Sequence, residues 1–428
     1  MTKLTGINSK MTLPEKVELL APAGDFEKLE TAVHYGADAV YLGGKDFSLR
    51  NFSGNFTLEG IESAVHICHG SGVKVYVAVN IYPRNAEMNA VSDYLTALGR
   101  IRPDAVIIAD PGAFLLARRH IPHIPVHLST QANTTNIESV RFWRDLGAAR
   151  INLARELSLA EIREIALAGE VEIEAFVHGA MCISYSGRCL LSAYLTGRDG
   201  NQGMCAHPCR WGYAVVEETR PGHYMPIAED DRGSYIFSSR DICMVAHLPA
   251  MIEAGIHSLK IEGRMKSVHY LATTVSVYRK AVDAYYENPR EYVVRDEWIQ
   301  SLSGINHRGY GTGFYFGDPA GILPGYTKDV LFDEQLFLGR ITGSSDSGFL
   351  FDVRNRIDKD DPVEIMTRNG SVRTDRIIDI RGSLDESLPR AHPGTRVCIR
   401  LNGNYEKNDI IRKCTTRKDV PCCLSPTI

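Results

Sequence analysis

Long hydrophobic runs are missing from this 428-residue sequence, and none approaches the about 18 consecutive apolar residues that a membrane-spanning helix needs. The first sixteen residues contain no apolar core, so we do not expect a secretory signal peptide. An excess of positive charge is missing too, because 48 basic and 52 acidic residues give a net charge of −4. This balance disfavours a mainly electrostatic nucleic-acid binder. We therefore expect a globular, cytoplasmic protein of two or three domains with no membrane partner.

Several common catalytic motifs are absent as well. The sequence has no HExxH zinc-protease helix, no GxSxG nucleophile elbow, no Walker A loop and no GxGxxG dinucleotide loop. Their absence weakens the interpretation as a zinc protease, a serine hydrolase, an ATPase or a dinucleotide-dependent enzyme.

Short apolar runs alternate with helix-compatible segments from about residue 17 to residue 290. Segments such as Asp25–Gly36 and Asn136–Gly147 end on glycine, a common helix stop. Near-continuous apolar runs such as VYVAVN suit parallel strands that are buried on both faces. Eight alternating units favour a TIM-type (β/α)8 barrel over an open doubly wound sheet, so we predict an α/β barrel at residues 14–315. The eight predicted strands are Val17–Ala23, Ala39–Gly44, Lys74–Asn80, Ala105–Asp110, Pro125–Thr130, Arg150–Arg155, Glu172–Gly179 and Ser258–Gly263.

The pattern changes after about residue 315, where glycines, aspartates and short alternating runs dominate. Turns at about every ten residues predict a small β-barrel domain at residues 316–428. Residues 325–428 contain 12 arginines, which suit either contact with a phosphate backbone or a solvated surface of mixed charge. The basic run at residues 412–418 is predicted to be a mobile C-terminal tail.

Cysteine is scarce, since ten residues are too few for a disulfide scaffold. Half of the cysteines fall in an insertion, residues 181–257, between predicted strands seven and eight. Because active sites of this fold lie at the C-terminal face of the barrel, we expect them over the barrel mouth. Four thiolates are what a [4Fe–4S] cluster needs, while a zinc site and unligated thiols stay as alternatives. The five candidates are Cys182, Cys189, Cys205, Cys209 and Cys243, and the C-x3-C spacing alone favours Cys209 as a ligand.

Polar residues follow the predicted strands, at the point where each strand ends. If they converge at the barrel mouth, they form an anion-binding site in which arginine suits carboxylate groups. The alternative is that they pair with one another and stabilise the mouth. Candidate catalytic residues are His178, Asp241, Glu262 and Arg264. Further candidates at strand ends are Asn80, Asp110, Gln131, Asn133, Arg155 and Lys266.

Four segments carry long and specific patterns: HGAMCISYSGRCLLS (178–192), RDGNQGMCAHPCRW (198–211), SSRDIC (238–243) and KIEGRMKSVHY (260–270). Together they resemble the collagenase-like peptidase family of unassigned catalytic type. The resemblance covers about residues 14–300, and the β domain fits the longer members of that family. On the family pattern, Cys182, Cys189, Cys205 and Cys243 match the positions of the cluster ligands.

The resemblance also implies a reaction. Some members of the family are described as proteases, and others hydroxylate tRNA uridine, ribosomal RNA cytidine or the ubiquinone ring without oxygen, with prephenate as the apparent oxygen source. A barrel with one β module is most similar to the branch of prephenate-dependent tRNA uridine hydroxylases, which make 5-hydroxyuridine at the wobble position. The implied cofactor is a [4Fe–4S] cluster, and the implied partners are tRNA, prephenate and a homologous protein. A peptidase and an iron–sulfur subunit of another hydroxylating complex, acting on ribosomal RNA or quinone, are the alternatives.

Overall fold

The structure is a computed structural model that describes residues 15–49, 54–182, 184–211, 228–230, 233–235, 240–317 and 335–413. Within these ranges, no helix is long and apolar enough to cross a membrane.

Strands and helices alternate through the first part of the chain, and each strand pairs in parallel with the next strand. The strands are β1 (Glu18–Pro22), β2 (Ala39–Gly43), β3 (Lys74–Val79), β4 (Ala105–Ile108), β5 (Val126–Leu128), β6 (Ala148–Asn152) and β7 (Glu172–Ala180). The helices are α1 (Phe26–His34), α2 (Leu58–His69), α3 (Met88–Ile101), α4 (Pro111–His120), α5 (Ile137–Asp145) and α6 (Leu159–Leu167).

Local sequence signals fix the ends of these helices. The Asp25 side chain accepts a hydrogen bond from the backbone N–H of Lys28 at 2.9 Å and caps α1, and Asn136 caps α5 in the same way. Gly36 and Gly147 follow α1 and α5 with φ of 94° and 98°. Only glycine adopts this left-handed backbone without a steric cost, so the predicted glycine stops are confirmed.

The insertion and the last barrel strand complete the sheet. They contain α7 (Leu191–Thr196), β8 (Ala228–Asp230), β9 (Gly233–Tyr235), β10 (Asp241–Cys243), α8 (Leu248–Glu253) and β11 (Ser258–Ile261), and are followed by α9 (Val268–Glu287), α10 (Asp296–Ser303) and β12 (Tyr310–Gly311). Strand β11 pairs in parallel with both β1 and β7, which closes an eight-stranded barrel. Strand β10 lies antiparallel to the end of β7. The predicted TIM-type barrel is confirmed.

The C-terminal β domain is an antiparallel half-barrel, as the turn-rich sequence predicts. Its strands are β13 (Phe337–Ser345), β14 (Gly348–Val353), β15 (Ile357–Asp358), β16 (Pro362–Met366), β17 (Val372–Arg376), β18 (Asp379–Arg381), β19 (Arg390–Ala391), β20 (Arg396–Arg400) and β21 (Ile410–Lys413). Seven of them form one sheet in the order β17-β16-β21-β13-β14-β20-β18. The prediction of a mobile basic tail is wrong for its first residue, because Arg412 is buried in β21 and pairs with Glu364 at 2.9 Å. Residues 414–418 lie outside the described residues.

Residues at the C-terminal end of helix α1 contact the β domain. The Tyr35 hydroxyl donates to the carbonyl oxygen of Met366 at 2.7 Å. His34 Nε2 lies 2.9 Å from a carboxylate oxygen of Asp409, and both side chains are buried. These buried polar contacts hold the β domain against the side of the barrel.

Candidate active site

A cavity of about 180 Å³ opens at the C-terminal end of the barrel, where active sites of this fold lie. Strands β2, β7 and β11 contribute its floor through Tyr41, Phe176 and Lys260. The Lys260 ammonium lies 4.4 Å from the centre of the Tyr41 ring. The floor therefore combines aromatic surface with one positive charge.

A buried ion network supports this floor from below. Lys260 pairs with Glu174 at 2.7 Å, and Arg150 pairs with Glu18 at 2.5 Å and with Glu174 at 3.6 Å. The Tyr76 hydroxyl donates to Glu18 at 2.6 Å. Because buried charges are costly unless they are paired, these contacts fix the Lys260 ammonium in one place.

One wall of the cavity carries an arginine and a carboxylate. Arg155 donates to Glu262 at 3.2 Å, and its guanidinium lies 3.8 Å from the centre of the Phe176 ring. The buried Nε–H of Arg155 has no hydrogen-bond partner among the described residues. Arginine binds carboxylates through two parallel N–H groups, so Arg155 is suited to hold an anionic ligand here.

Three amide side chains line another part of the cavity. Asn80 donates to the side-chain oxygen of Gln131 at 3.1 Å and accepts from the Leu49 N–H at 3.2 Å. Asn152 is buried, and its side-chain oxygen has no hydrogen-bond partner in the described part of the chain. A buried, unsatisfied acceptor costs free energy that a ligand N–H group would recover. The wall therefore suits a polar ring with hydrogen-bonding edges.

Four cysteines of the insertion, Cys182, Cys189, Cys205 and Cys209, line the same cavity. The hydrogen bond between the thiols of Cys182 and Cys189 lowers the pKa of Cys189 and raises the pKa of Cys182. A thiolate at Cys189 is the form that binds metals. Within the described ranges, no three His, Cys, Asp or Glu side chains converge closely enough to enclose a metal ion. The number and chemistry of the thiols nevertheless fit a four-cysteine cluster.

Cys243, the other predicted ligand, lies elsewhere. Its side chain is buried, and the Tyr278 hydroxyl is 3.9 Å from its sulfur. Burial raises the pKa of the Cys243 thiol to about 11. The structure thus brings Cys182, Cys189 and Cys205 to the cavity but not Cys243, and it brings Cys209 there instead.

The predicted catalytic residues divide into two pairs. His178 and Asp241 are buried and do not line the cavity. Burial lowers the pKa of His178 to about 3, and its Nδ1 lies 3.4 Å from the Tyr278 hydroxyl. Asp241 pairs with Arg308 at 2.6 Å and with Lys266 at 3.6 Å. These contacts make His178 and Asp241 part of the packing behind the cavity.

Glu262 and Arg264, by contrast, line the cavity. The Arg264 guanidinium donates to the Ser48 hydroxyl at 2.8 Å and to Asn55 at 3.1 Å. Arg264 therefore holds the segment after β2 in place. Glu262, bound to Arg155, remains the cavity carboxylate with access to a ligand.

The other residues predicted at strand ends also differ in whether they line the cavity. Asn80, Gln131 and Arg155 line the cavity, whereas Asp110 caps α4 by accepting from the Ala113 N–H at 2.8 Å. Asn133 and Lys266 do not line the cavity.

Asn152 and Lys260 also line the cavity, although neither was among the predicted site residues. Both occupy barrel strands, and alternate residues of a barrel strand face its axis. A lysine inside the apolar run SLKI is the signal that would have found Lys260.

The model of peptidase family U32 matches residues 24–323, and that of the peptidase family U32 C-terminal domain matches residues 333–412. The chain belongs to peptidase family U32. The resemblance inferred from the sequence motifs is confirmed, and the second match coincides with the β domain.

Several named proteins are similar to this chain in sequence. The chain is 42% identical to "tRNA hydroxylation protein P1" of Bacillus subtilis (strain 168), over 96% of this chain and 97% of that protein. It is 39% identical to "tRNA hydroxylation protein P" of Escherichia coli (strain K12), over 90% and 93% of the two chains. A 23S rRNA 5-hydroxycytidine synthase of the same organism is 37% identical over 64% of this chain and 40% of its own length.

Proposed function

We propose that this protein is a tRNA-modifying hydroxylase that places a hydroxyl group on uridine, forming 5-hydroxyuridine at the wobble position with prephenate as the oxygen donor. The observation that carries the proposal is near full-length similarity to proteins named for tRNA hydroxylation. The cavity lined by cysteines, cations and amides supports the same chemistry.

The lining of the cavity suits both substrates. Prephenate has two carboxylates, and Arg155 and Lys260 supply positive charge at the wall and the floor. Uracil presents one N–H donor and two carbonyl acceptors, which match the amide side chains of Asn80, Gln131 and Asn152. In the overall balance, the C5–H bond of uridine becomes C5–OH. Uridine is oxidised by two electrons, and prephenate gives up one oxygen atom and is reduced by two.

We further propose that a [4Fe–4S] cluster is held by Cys182, Cys189, Cys205 and Cys209. These four thiols line one cavity, and the thiolate form of cysteine binds metals. When bound, such a cluster supplies electron transfer or Lewis acidity. Glu262, next to Arg155 in the cavity, is the group of the chain that is best placed to take up or deliver a proton.

The peptidase hypothesis finds less support. Of the two bases predicted for such a site, His178 is buried with its pKa lowered to about 3, which leaves Glu262 alone. A peptide bond has no access to His178 in this arrangement.

The substrate assignment is tested by nucleoside mass spectrometry of tRNA from cells with and without the gene. We expect 5-hydroxyuridine to disappear in the deletion strain and to return with the wild-type gene. Unchanged 5-hydroxyuridine in the deletion strain would overturn the assignment to tRNA uridine.

The cluster assignment is tested by a matched pair, Cys209→Ala and Cys243→Ala. We expect Cys209→Ala to lose about tenfold or more of the bound iron and sulfide after anaerobic purification, together with the tRNA modification. Cys243→Ala should keep both. Circular dichroism shows whether each variant is folded. A folded Cys243→Ala protein without iron, beside a Cys209→Ala protein with iron, would return the fourth position to Cys243.

A further inference from the structure

Exposed aromatic side chains are concentrated in one segment of the insertion. Of 18 exposed large apolar side chains among the described residues, six lie within residues 184–211. Every exposed tyrosine and tryptophan in this set is there: Tyr185, Tyr194 and Trp211, with 60%, 85% and 43% of their surface accessible. Scattered exposed apolar residues need no explanation, but such a concentration marks an interaction surface.

The segment is held in one conformation by hydrogen bonds that leave these rings outside. The Ser192 hydroxyl accepts from the Ala206 N–H at 2.9 Å, which ties the buried side of α7 to the chain around Cys205. Tyr194 lies on the exposed side of α7. The Asn201 side chain donates to the carbonyl oxygen of Cys189 at 3.2 Å. The hydrogen-bonded segment therefore presents the three rings to solvent.

Charge in this segment is positive. Residues 184–211 contain three arginines and one acidic residue, Asp199. The Asp199 carboxylate accepts from the Asn201 N–H at 2.8 Å and caps the turn that follows it. The side chains of Arg188 and Arg198 are exposed. Exposed aromatic rings beside arginines are the combination that binds single-stranded nucleic acid, by stacking on bases and by attraction to phosphates.

The surface adjoins the cavity along the chain. Ser186, Gly187 and Cys189 line the cavity, and the exposed residues Tyr185 and Arg188 alternate with them. A nucleotide chain with one base in the cavity would have its neighbouring bases beside these side chains.

We propose that Tyr185, Tyr194 and Trp211, with Arg188 and Arg198, form a surface that binds the unpaired nucleotides on either side of the target nucleotide. This aromatic surface deepens the proposed function and rests on it for the identity of the RNA. The aromatic surface selects a single-stranded RNA loop over an RNA double helix, because only unpaired bases expose their faces for stacking.

The test is binding of the full-length protein to two fluorescein-labelled RNAs of equal length, measured by fluorescence anisotropy. One RNA is a hairpin with a seven-nucleotide loop, and the other is a continuous duplex. We expect Tyr194→Ala to bind the hairpin about tenfold more weakly and the duplex as the wild type does. Tyr194→Phe should bind the hairpin normally, because stacking needs the ring and not the hydroxyl.

The matched control is Phe142→Ala, which removes another exposed aromatic ring, 56% accessible, from helix α5 on the barrel wall. We expect it to change neither affinity. The proposal is overturned if the Tyr185→Ala, Tyr194→Ala double variant binds the hairpin as tightly as the wild type. It is also overturned if that variant only turns a dimer into a monomer on a sizing column, since the surface would then face a second copy.

Binding and modification are separate measurements. Suppose that Tyr194→Ala loses hairpin binding, but deletion of the gene removes no modification from tRNA. This result would support the aromatic surface and reject the proposed reaction. Normal hairpin binding in the double variant, with tRNA hydroxylation established for the wild type, would reject the surface alone.

Discussion

The insertion and the β domain differ in the residues that accompany their arginines. Seven of the eleven arginines within residues 335–413 form ion pairs with a carboxylate. They are Arg340, Arg354, Arg356, Arg381, Arg390, Arg396 and Arg412. Segment 184–211 instead combines three arginines with one acidic residue and three exposed aromatic rings. An abundance of arginine therefore does not identify an RNA-binding surface, because most arginines of the β domain are already paired with carboxylates of the protein.

Several charges of the β domain have a structural role at the barrel. Arg340 and Lys407 both pair with Glu30 at 2.8 Å, and Arg354 pairs with Glu27 at 2.9 Å. Both glutamates belong to α1. If this comparison is right, substitutions at this contact change stability, and substitutions in the insertion change RNA binding.

The largest effect is expected at the contact between the two domains. Arg340→Ala should lower the free energy of unfolding by about 3 kcal/mol, because it breaks two partly buried ion pairs at once and leaves Glu30 with Lys407 alone and Glu27 with Arg354 alone. Urea unfolding followed by circular dichroism measures this change. The control is Arg356→Ala, whose side chain is 58% exposed where it pairs with Asp358, and whose loss should cost less than about 1 kcal/mol. Equal losses in the two variants would contradict the structural role of the contact.

A pH dependence of about 2 kcal/mol is expected at the same contact. His269 is buried, its ring lies parallel to that of Phe337 at 5.8 Å, and burial and the charge of Arg412 lower its pKa to about 3. Below pH 6.5 the histidine binds a proton in the unfolded chain but not in the folded chain. The free energy of unfolding therefore falls by about 1.4 kcal/mol per pH unit. Between pH 6.5 and pH 5, the wild type should therefore lose about 2 kcal/mol more than His269→Gln.

The measurement is urea unfolding at both pH values. His392→Gln, at an exposed position of the β domain, serves as the control and should follow the wild-type pH profile. Parallel pH profiles for His269→Gln and the wild type would show that His269 is not a buried neutral group.

The barrel could be predicted from the sequence because its signals are local. Buried parallel strands such as KVYVAV, capping residues such as Asp25 and glycine stops such as Gly147 each act within a few residues. The positions of the cavity residues depend on contacts between distant strands. His178 lies near the end of β7, two residues before Ala180, but β10 and α9 cover it, so that it is buried.

The cysteines illustrate the same limit. The family pattern gave Cys243 as the fourth ligand and the C-x3-C spacing alone favoured Cys209, but spacing along the chain does not determine which side chains face a common cavity. Antiparallel pairing of β10 with β7 buries Cys243 beside Tyr278. That pairing joins residues that are about 65 positions apart, and no local pattern encodes it.

The smallest effect distinguishes the two regions most directly. Arg188→Gln and Arg356→Gln each remove one positive charge, so the long-range field of the protein weakens equally in both. Only Arg188 lies beside the proposed path of the RNA, whereas Arg356 pairs with Asp358 at 2.7 Å.

We expect Arg188→Gln to weaken hairpin binding about fivefold at moderate salt and to reduce the salt dependence by about one phosphate contact. Arg356→Gln should weaken binding less than about twofold. Anisotropy titrations over a range of salt concentrations measure both quantities. Identical losses would mean that net charge alone attracts the RNA, and the position of an arginine in the insertion or in the β domain would then have no consequence for binding.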